Sequence, residues 1–151
     1  MAKIETILFA TDFSKGSAQA CELARTLGTL TGARLHVLHV ITTLHDRSNL
    51  RISSAMLSNM FDEIKQGAAQ DMRQFCQENL AGLDITPHIV QGASHEELLR
   101  EATRIGADLI IMGTHGRTGL EKLLMGSTAE KVVRSSIIPV LTVRESETAG
   151  S

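Results

Sequence analysis

Five short apolar runs alternate with four helix-like stretches along this 151-residue chain, and that alternation limits the fold more than any other feature of the sequence. The runs fall at residues 4–10, 34–41, 85–91, 108–112 and 139–143, and the helix signals at 16–31, 55–80, 94–105 and 127–135. A β-α-β-α-β-α-β-α-β order calls for right-handed crossovers and a parallel sheet covered by helices on both faces. The sequence therefore predicts a doubly wound α/β layer. Ligands of such sheets bind beyond the carboxyl ends of the strands, where the winding reverses. If the first and fourth strands flank that reversal, Asp12 and the loop after Met112 meet at one crevice.

Local signals sharpen each element. In the first helix Ala20, Leu23, Ala24, Leu27 and Leu30 recur at three- and four-residue spacing, with Gly28 loosening the helix and Gly32 ending it. In the second, Met56, Met60, Ile64, Ala68, Met72 and Phe75 form one apolar stripe that reads as core, and Gly82 closes the helix. Ser94 followed three positions later by Glu97 reads as a capping box opening the third. In the fourth, Ala129, Val132 and Val133 are expected to face inward. Pro87 inside the third run predicts a sheet edge, because proline cannot donate to the ladder. Residues 42–54 are polar and irregular and read as a loop, and residues 144–151 as a polar tail on a single domain spanning 1–151.

Composition excludes several function classes. Fifteen Lys and Arg against 17 Asp and Glu give a net charge of -2, so no global field favours nucleic acid or an anionic membrane surface. Four Phe with no Trp or Tyr offer no stacking platform for single-stranded bases. Cys21 and Cys76 fall in helical segments and make no disulfide framework. The first residues do not resemble a signal peptide, and no apolar run reaches the ~18–20 residues of a membrane span. The expected setting is the cytoplasm, without nucleic-acid or membrane partners. The six histidines show neither His-x3-His nor zinc spacing. His36 and His39 differ by an odd number along a strand and so point to opposite faces.

The chemistry concentrates in residues 113–128, a glycine-studded loop between the most apolar run and the last helix. Gly113, Gly116 and Gly126 let backbone N–H groups approach an anion unobstructed, and Ser127 and Thr128 stand where a helix N-terminus would complete the cradle. No Gly-x4-Gly-Lys-[Ser/Thr] is present, so the lysine of a P-loop is missing. Residues 11–16 contain one glycine, which rules against the dinucleotide Gly-x-Gly-x-x-Gly after the first strand.

The pattern Gly113-x2-Gly116-x9-Gly126-Ser127, preceded by Leu109-Ile-Ile-Met112 and followed by Ser135-Ser-Ile-Ile-Pro139-Val140, resembles the ATP-binding subgroup of the universal stress protein family. Ile7-Leu-Phe-Ala-Thr11-Asp12-Phe13-Ser14 and Leu38-His39-Val40 are similar to that family's first strand and the end of its second. The resemblance covers nearly the whole chain. It implies a five-stranded parallel sheet in the order 3-2-1-4-5 and a homodimer through the last strand, at Val140, Leu141, Thr142 and Val143. It also implies an adenine nucleotide at the carboxyl edge, ATP or else AMP or a cyclic nucleotide. In that likeness Asp12 lies near the ribose or, through water or metal, the phosphates. Val40 meets adenine through its backbone, and Ala10, Thr11 and Met112 line the base pocket. Gly113, Gly116, Gly126, Ser127 and Thr128 take the phosphates, with Arg117 and His115 as further positions of the loop. A divalent cation such as Mg²⁺ or Mn²⁺, held by phosphate oxygens, fits a site with few protein ligands.

Fast phosphoryl transfer needs a positioned cation, metal-ligating carboxylates and a group that orients the nucleophile. No spacing fixes Arg117, Lys122 or His115 in those roles. The expected function is thus a stress-response or regulatory module that holds its nucleotide. The alternatives are slow or partner-stimulated ATP hydrolysis, and an interaction module in which the nucleotide is structural. An FMN-binding flavodoxin-like protein is the fold-level rival, and the aromatics that commonly sandwich a flavin are absent.

Overall fold

The computed structural model describes residues 3–14, 16–42, 53–114 and 125–144. In chain order the elements are β1 (Thr6–Ala10), α1 (Gly16–Thr31), β2 (Arg34–Thr42), α2 (Ser54–Asn79) and β3 (Ile85–Gly92). They continue with α3 (Ser94–Ile105), β4 (Leu109–Gly113), α4 (Ser127–Ser135) and β5 (Val140–Val143). The strands form one parallel sheet in the order β3-β2-β1-β4-β5, with Ile7 opposite Leu35 and Leu109, and Ile110 opposite Val140. This is the doubly wound α/β fold the alternation predicts. The winding reverses between β1 and β4. Pro87 does lie on an edge strand, β3, whose partner is β2.

The period of two in each strand divides the core between the faces of the sheet. Ile7, Phe9, Leu35, Val37 and Ile111 pack with Ala20, Cys21 and Ala24 of α1 and Met72 and Cys76 of α2. Leu8, Leu38, Ile110 and Met112 pack on the other face with Leu98 and Ala102 of α3 and Ala129 and Val132 of α4. Phe9, Leu8, Leu38 and Ile110 are fully buried; each such side chain stabilises the fold by about 1.5–3 kcal/mol relative to exposure. Both cysteines are buried free thiols, and burial pushes Cys21 up to about 11. No helix among the described residues is long and apolar enough to cross a membrane.

Several local expectations need correction. Ser94 is already inside α3, and the N-cap is Ala93, with no side-chain capping bond. The capping box does not form because Glu97 pairs with Arg100 and folds over Gly92 instead. Gly92 has φ +150°, and a Cβ there would sit 2.8 Å from the Glu97 Cγ, so both the close approach and the backbone require glycine. Gly28 is buried within an unbroken α1 rather than loosening it. Leu30 and Val133 face solvent. The α2 stripe is core only in its second half: Ala68 and Met72 are buried, whereas Met56, Met60 and Ile64 are 59%, 43% and 47% exposed. The cause is length. At 26 residues α2 spans about 39 Å, against about 30 Å for the nine residues of β2, so its first turns overhang the carboxyl edge of the sheet.

Candidate functional site

At that carboxyl edge the chain leaves β1 in a tight turn. Thr11 N–H donates to the Leu38 carbonyl (2.9 Å), tying β1 to β2 one residue beyond the strand. The Asp12 carboxylate accepts from Ser14 N–H (2.9 Å), the bond of an Asx turn. The Thr11 hydroxyl oxygen accepts from Phe13 N–H (3.0 Å). Ser17 donates its one hydroxyl proton to the Ser14 carbonyl (2.8 Å), so Thr11 must be the donor in the 2.9 Å contact between the two hydroxyls. Phe13 adopts φ +64°, a left-handed conformation rare for a bulky residue. Its ring stacks on His39 with centroids 4.5 Å apart, and Phe75 of α2 packs at 5.6 Å.

Across the reversal, β4 ends at Gly113, and Thr114 N–H continues the pairing to the Val143 carbonyl (3.0 Å). Gly126 N–H donates to the Thr114 carbonyl (2.7 Å), which closes the base of the glycine loop. Gly126 is also the N-cap of α4 and offers no side chain to its first turn. The N–H groups of Ser127, Thr128 and Ala129 therefore lack intrahelical acceptors and point out of the positive end of the helix.

Between these two turns lies a cleft of about 700 Å³. Ala10, Thr11, Asp12, Val40, Met112, Gly113, Gly126, Ser127 and Thr128 all line it. Gly116 and Arg117 lie outside the described residues, as do His115 and Lys122. Other lining residues were not expected at the site from the sequence: Phe13, His39 and Thr42 near β1 and β2, Ser94 at the start of α3, and Ile64, Gly67 and Asp71 on α2. Thr42 and His39 could have been found from their place at the carboxyl end of β2. The α2 wall was hidden because an apolar stripe reads as core. Chemically, the cleft offers carboxylates at Asp12 and Asp71, an apolar middle, and backbone donors with two hydroxyls at α4. That polarity suits an elongated ligand with an anionic end.

A second polar cluster lies on the α3 face, away from this cleft. His36 and His88 meet at 2.7 Å between Nδ1 and Nε2, with ring planes 8° apart and centroids 5.0 Å apart. So short an N–N contact at that centroid separation means the rings meet edge to edge through an N–H···N bond. His88 Nδ1 lies 3.3 Å from the Glu101 carboxylate, which pairs with Arg104. The Arg104 hydrogen bond holds the Glu101 carboxyl below its usual range. His88 then donates through Nδ1 and accepts at Nε2, and His36 donates through Nδ1. Burial lowers the pKa of both histidines. His36 and His88 share this face of the sheet, whereas His39 points to the opposite one, as the odd spacing of His36 and His39 along β2 predicts. Among the described residues no three His, Cys, Asp or Glu side chains converge as a metal-ligating set.

Comparison with known proteins follows the same lines. The profile of the universal stress protein family matches residues 3–144. Universal stress protein MJ0577 of Methanocaldococcus jannaschii is 32% identical, over 91% of this chain and 93% of its own length. The solved structure of MJ0577 superposes with a TM-score of 0.85 over 97% of this chain and 99% of that one, at 31% identity. A universal stress protein in complex with cAMP has a TM-score of 0.68 at 22% identity, covering 96% of this chain and all of its own. One from Archaeoglobus fulgidus in complex with dAMP has a TM-score of 0.60 at 16% identity, covering 95% and 100%. The last two likenesses establish the fold.

Proposed function

This chain belongs to the universal stress protein family, and on that premise we propose that its cleft binds an adenine nucleotide, with ATP the leading ligand, in a stress-response or regulatory role. The observation that carries the reading is the convergence on one cleft, at the reversal of the winding, of Asp12, Val40, Gly113 and the uncapped α4 N-terminus. In this reading the Val40 backbone meets adenine, with Ala10, Thr11 and Met112 around the base. Asp12 takes the ribose or, through water or a cation, the phosphates. Ser127 and Thr128 present donors to the phosphate oxygens, Gly113 and Gly126 leave the backbone open around them, and Gly116 and Arg117 complete the loop. Mg²⁺ or Mn²⁺ would be held mainly by the phosphates. The complexes of two family members with cAMP and dAMP support the ligand class by fold-level analogy.

The further features proposed are a single domain acting in the cytoplasm and a homodimer through β5. The nucleotide is proposed to be held rather than consumed, because no spacing in the sequence fixes Arg117, Lys122 or His115 as catalytic groups. Mass spectrometry of small molecules extracted from purified protein tests the ligand class directly. An adenine nucleotide in stoichiometric amount is the expected result. A co-purifying flavin, or protein that takes up neither ATP nor AMP when incubated with them, would refute the reading.

A further inference from the structure

We infer that His39 is the positioning residue of this cleft: through its bond to the Thr11 carbonyl it holds the turn at residues 11–14, and with it Asp12, in the form that would meet a nucleotide's sugar. The sugar-facing role rests on the nucleotide reading above; the hold on the turn does not.

The turn needs holding. Phe13 sits at φ +64°, a conformation that persists in a bulky residue only where the surroundings over-determine it. Asp12 is the residue just before it, and its carboxylate is tied to Ser14, the residue just after it. Any relaxation of Phe13 toward ordinary backbone angles would therefore swing the Asp12 carboxylate. The local bonds from Thr11 to Phe13 and from Thr11 to Ser17 stay within the turn and α1. They shape the turn without anchoring it to the sheet.

Beside the Thr11 N–H bond to Leu38, His39 supplies the side-chain anchor. Its Nδ1 lies 2.9 Å from the Thr11 carbonyl oxygen, 28 residues away in sequence. A carbonyl only accepts, so Nδ1 carries the proton. Thr11 is thereby fixed to β2 at both of its backbone groups, N–H to Leu38 and C=O to His39. The imidazole, so oriented, lies against the Phe13 ring at 4.5 Å and 29°, and Phe75 packs on Phe13 as well. A purely apolar residue at this place could pack against Phe13 but would leave the Thr11 carbonyl without this donor. His39 also stands next to Val40 in β2, so one strand end would order both the base and the sugar portions of the cleft.

The test separates the bond from the ring. His39→Phe keeps a flat ring and removes the donor, whereas His39→Asn keeps a donor near the Nδ1 position and removes the ring. In nucleotide-free protein, amide exchange of Ser14 reports the bond to Asp12. Exchange should be about tenfold faster in His39→Phe and near wild type in His39→Asn; any other pattern overturns the inference. Should His39→Phe fail to fold, imidazole nitrogen shifts of the wild type decide: the proton must reside on Nδ1, and an Nε2–H tautomer overturns it. In titrations, His39→Phe should weaken ATP by about tenfold and leave 2′,3′-dideoxy-ATP little changed, with His39→Asn restoring ATP. Equal weakening of both ligands would mark His39 as packing only. Wild-type protein that binds neither nucleotide would refute the nucleotide reading, while the exchange result would still decide what His39 holds.

Discussion

Gly92 and Phe13 both occupy positive φ, for opposite reasons. Gly92 lies beneath the Glu97 side chain, where a Cβ has no room. Gly92→Ala is expected to cost about 1–3 kcal/mol in urea denaturation, and an unchanged midpoint would show that Glu97 moves aside freely. Phe13 has a Cβ and bears the strain. Phe13→Ala and Phe13→Gly remove the same ring contacts, but only glycine relieves the backbone. The alanine variant should be the less stable of the two by about 1 kcal/mol; equal stabilities would mean the turn relaxes once the ring is gone. At this scale the sequence was partly legible. Asp12, Gly113 and Gly126 announced themselves as residue types that turns and anion sites require. His39 did not, because its partner Thr11 is 28 residues away and only the pairing of β1 with β2 brings them together. Ser94 and Glu97 had the spacing of a capping box, yet an ion pair with Arg100 and the packing over Gly92 claimed Glu97 first.

Among the elements, the edge strand β3 and helix α3 are clamped to β2 by His36, His88 and Glu101. Arg34 on β2 and Arg104 on α3 add positive charge around the pair. Burial favours the neutral rings, so both histidines titrate below the ordinary 6.5 in the folded protein. The unfolded chain therefore binds more protons as pH falls past that value. Stability from this clamp is fully present above about pH 6.5 and declines as pH drops toward the folded-state values. Denaturation midpoints should fall between pH 7.5 and 5.5, and less steeply in His36→Gln; parallel pH profiles would contradict the clamp. Helix periodicity made all four helices readable, yet it reports only the angle of a side chain around the axis. It carries no information on how far α2 extends past the strands, which is why Met56, Met60 and Ile64 read as core and prove exposed. Ile64 forms instead part of the cleft wall.

Among the described residues the sheet has two edge strands of different character. β3 spans eight residues and carries Pro87, whereas β5 spans four and has no proline. An unpaired apolar edge templates association with another chain. The proposed homodimer through β5 predicts that Leu141→Lys gives monomers in light scattering with an unchanged circular dichroism spectrum. A persistent dimer with that substitution would contradict it. The strand alternation made the doubly wound sheet legible, and Pro87 made one edge legible; the full strand order came only by family resemblance, because no single strand states its neighbours. On the proposed reading, this sheet edge holds an adenine nucleotide at the α4 N-terminus. Gly126 has φ −62° and ψ 159°, angles open to any residue, so Gly126→Val alters the cradle without forcing the backbone. Calorimetric titration with ATP should show saturable binding to the wild type, weakened by about tenfold or more in a folded Gly126→Val. No binding to folded wild type, or equal affinity in the variant, would show that the nucleotide is not held at this helix end.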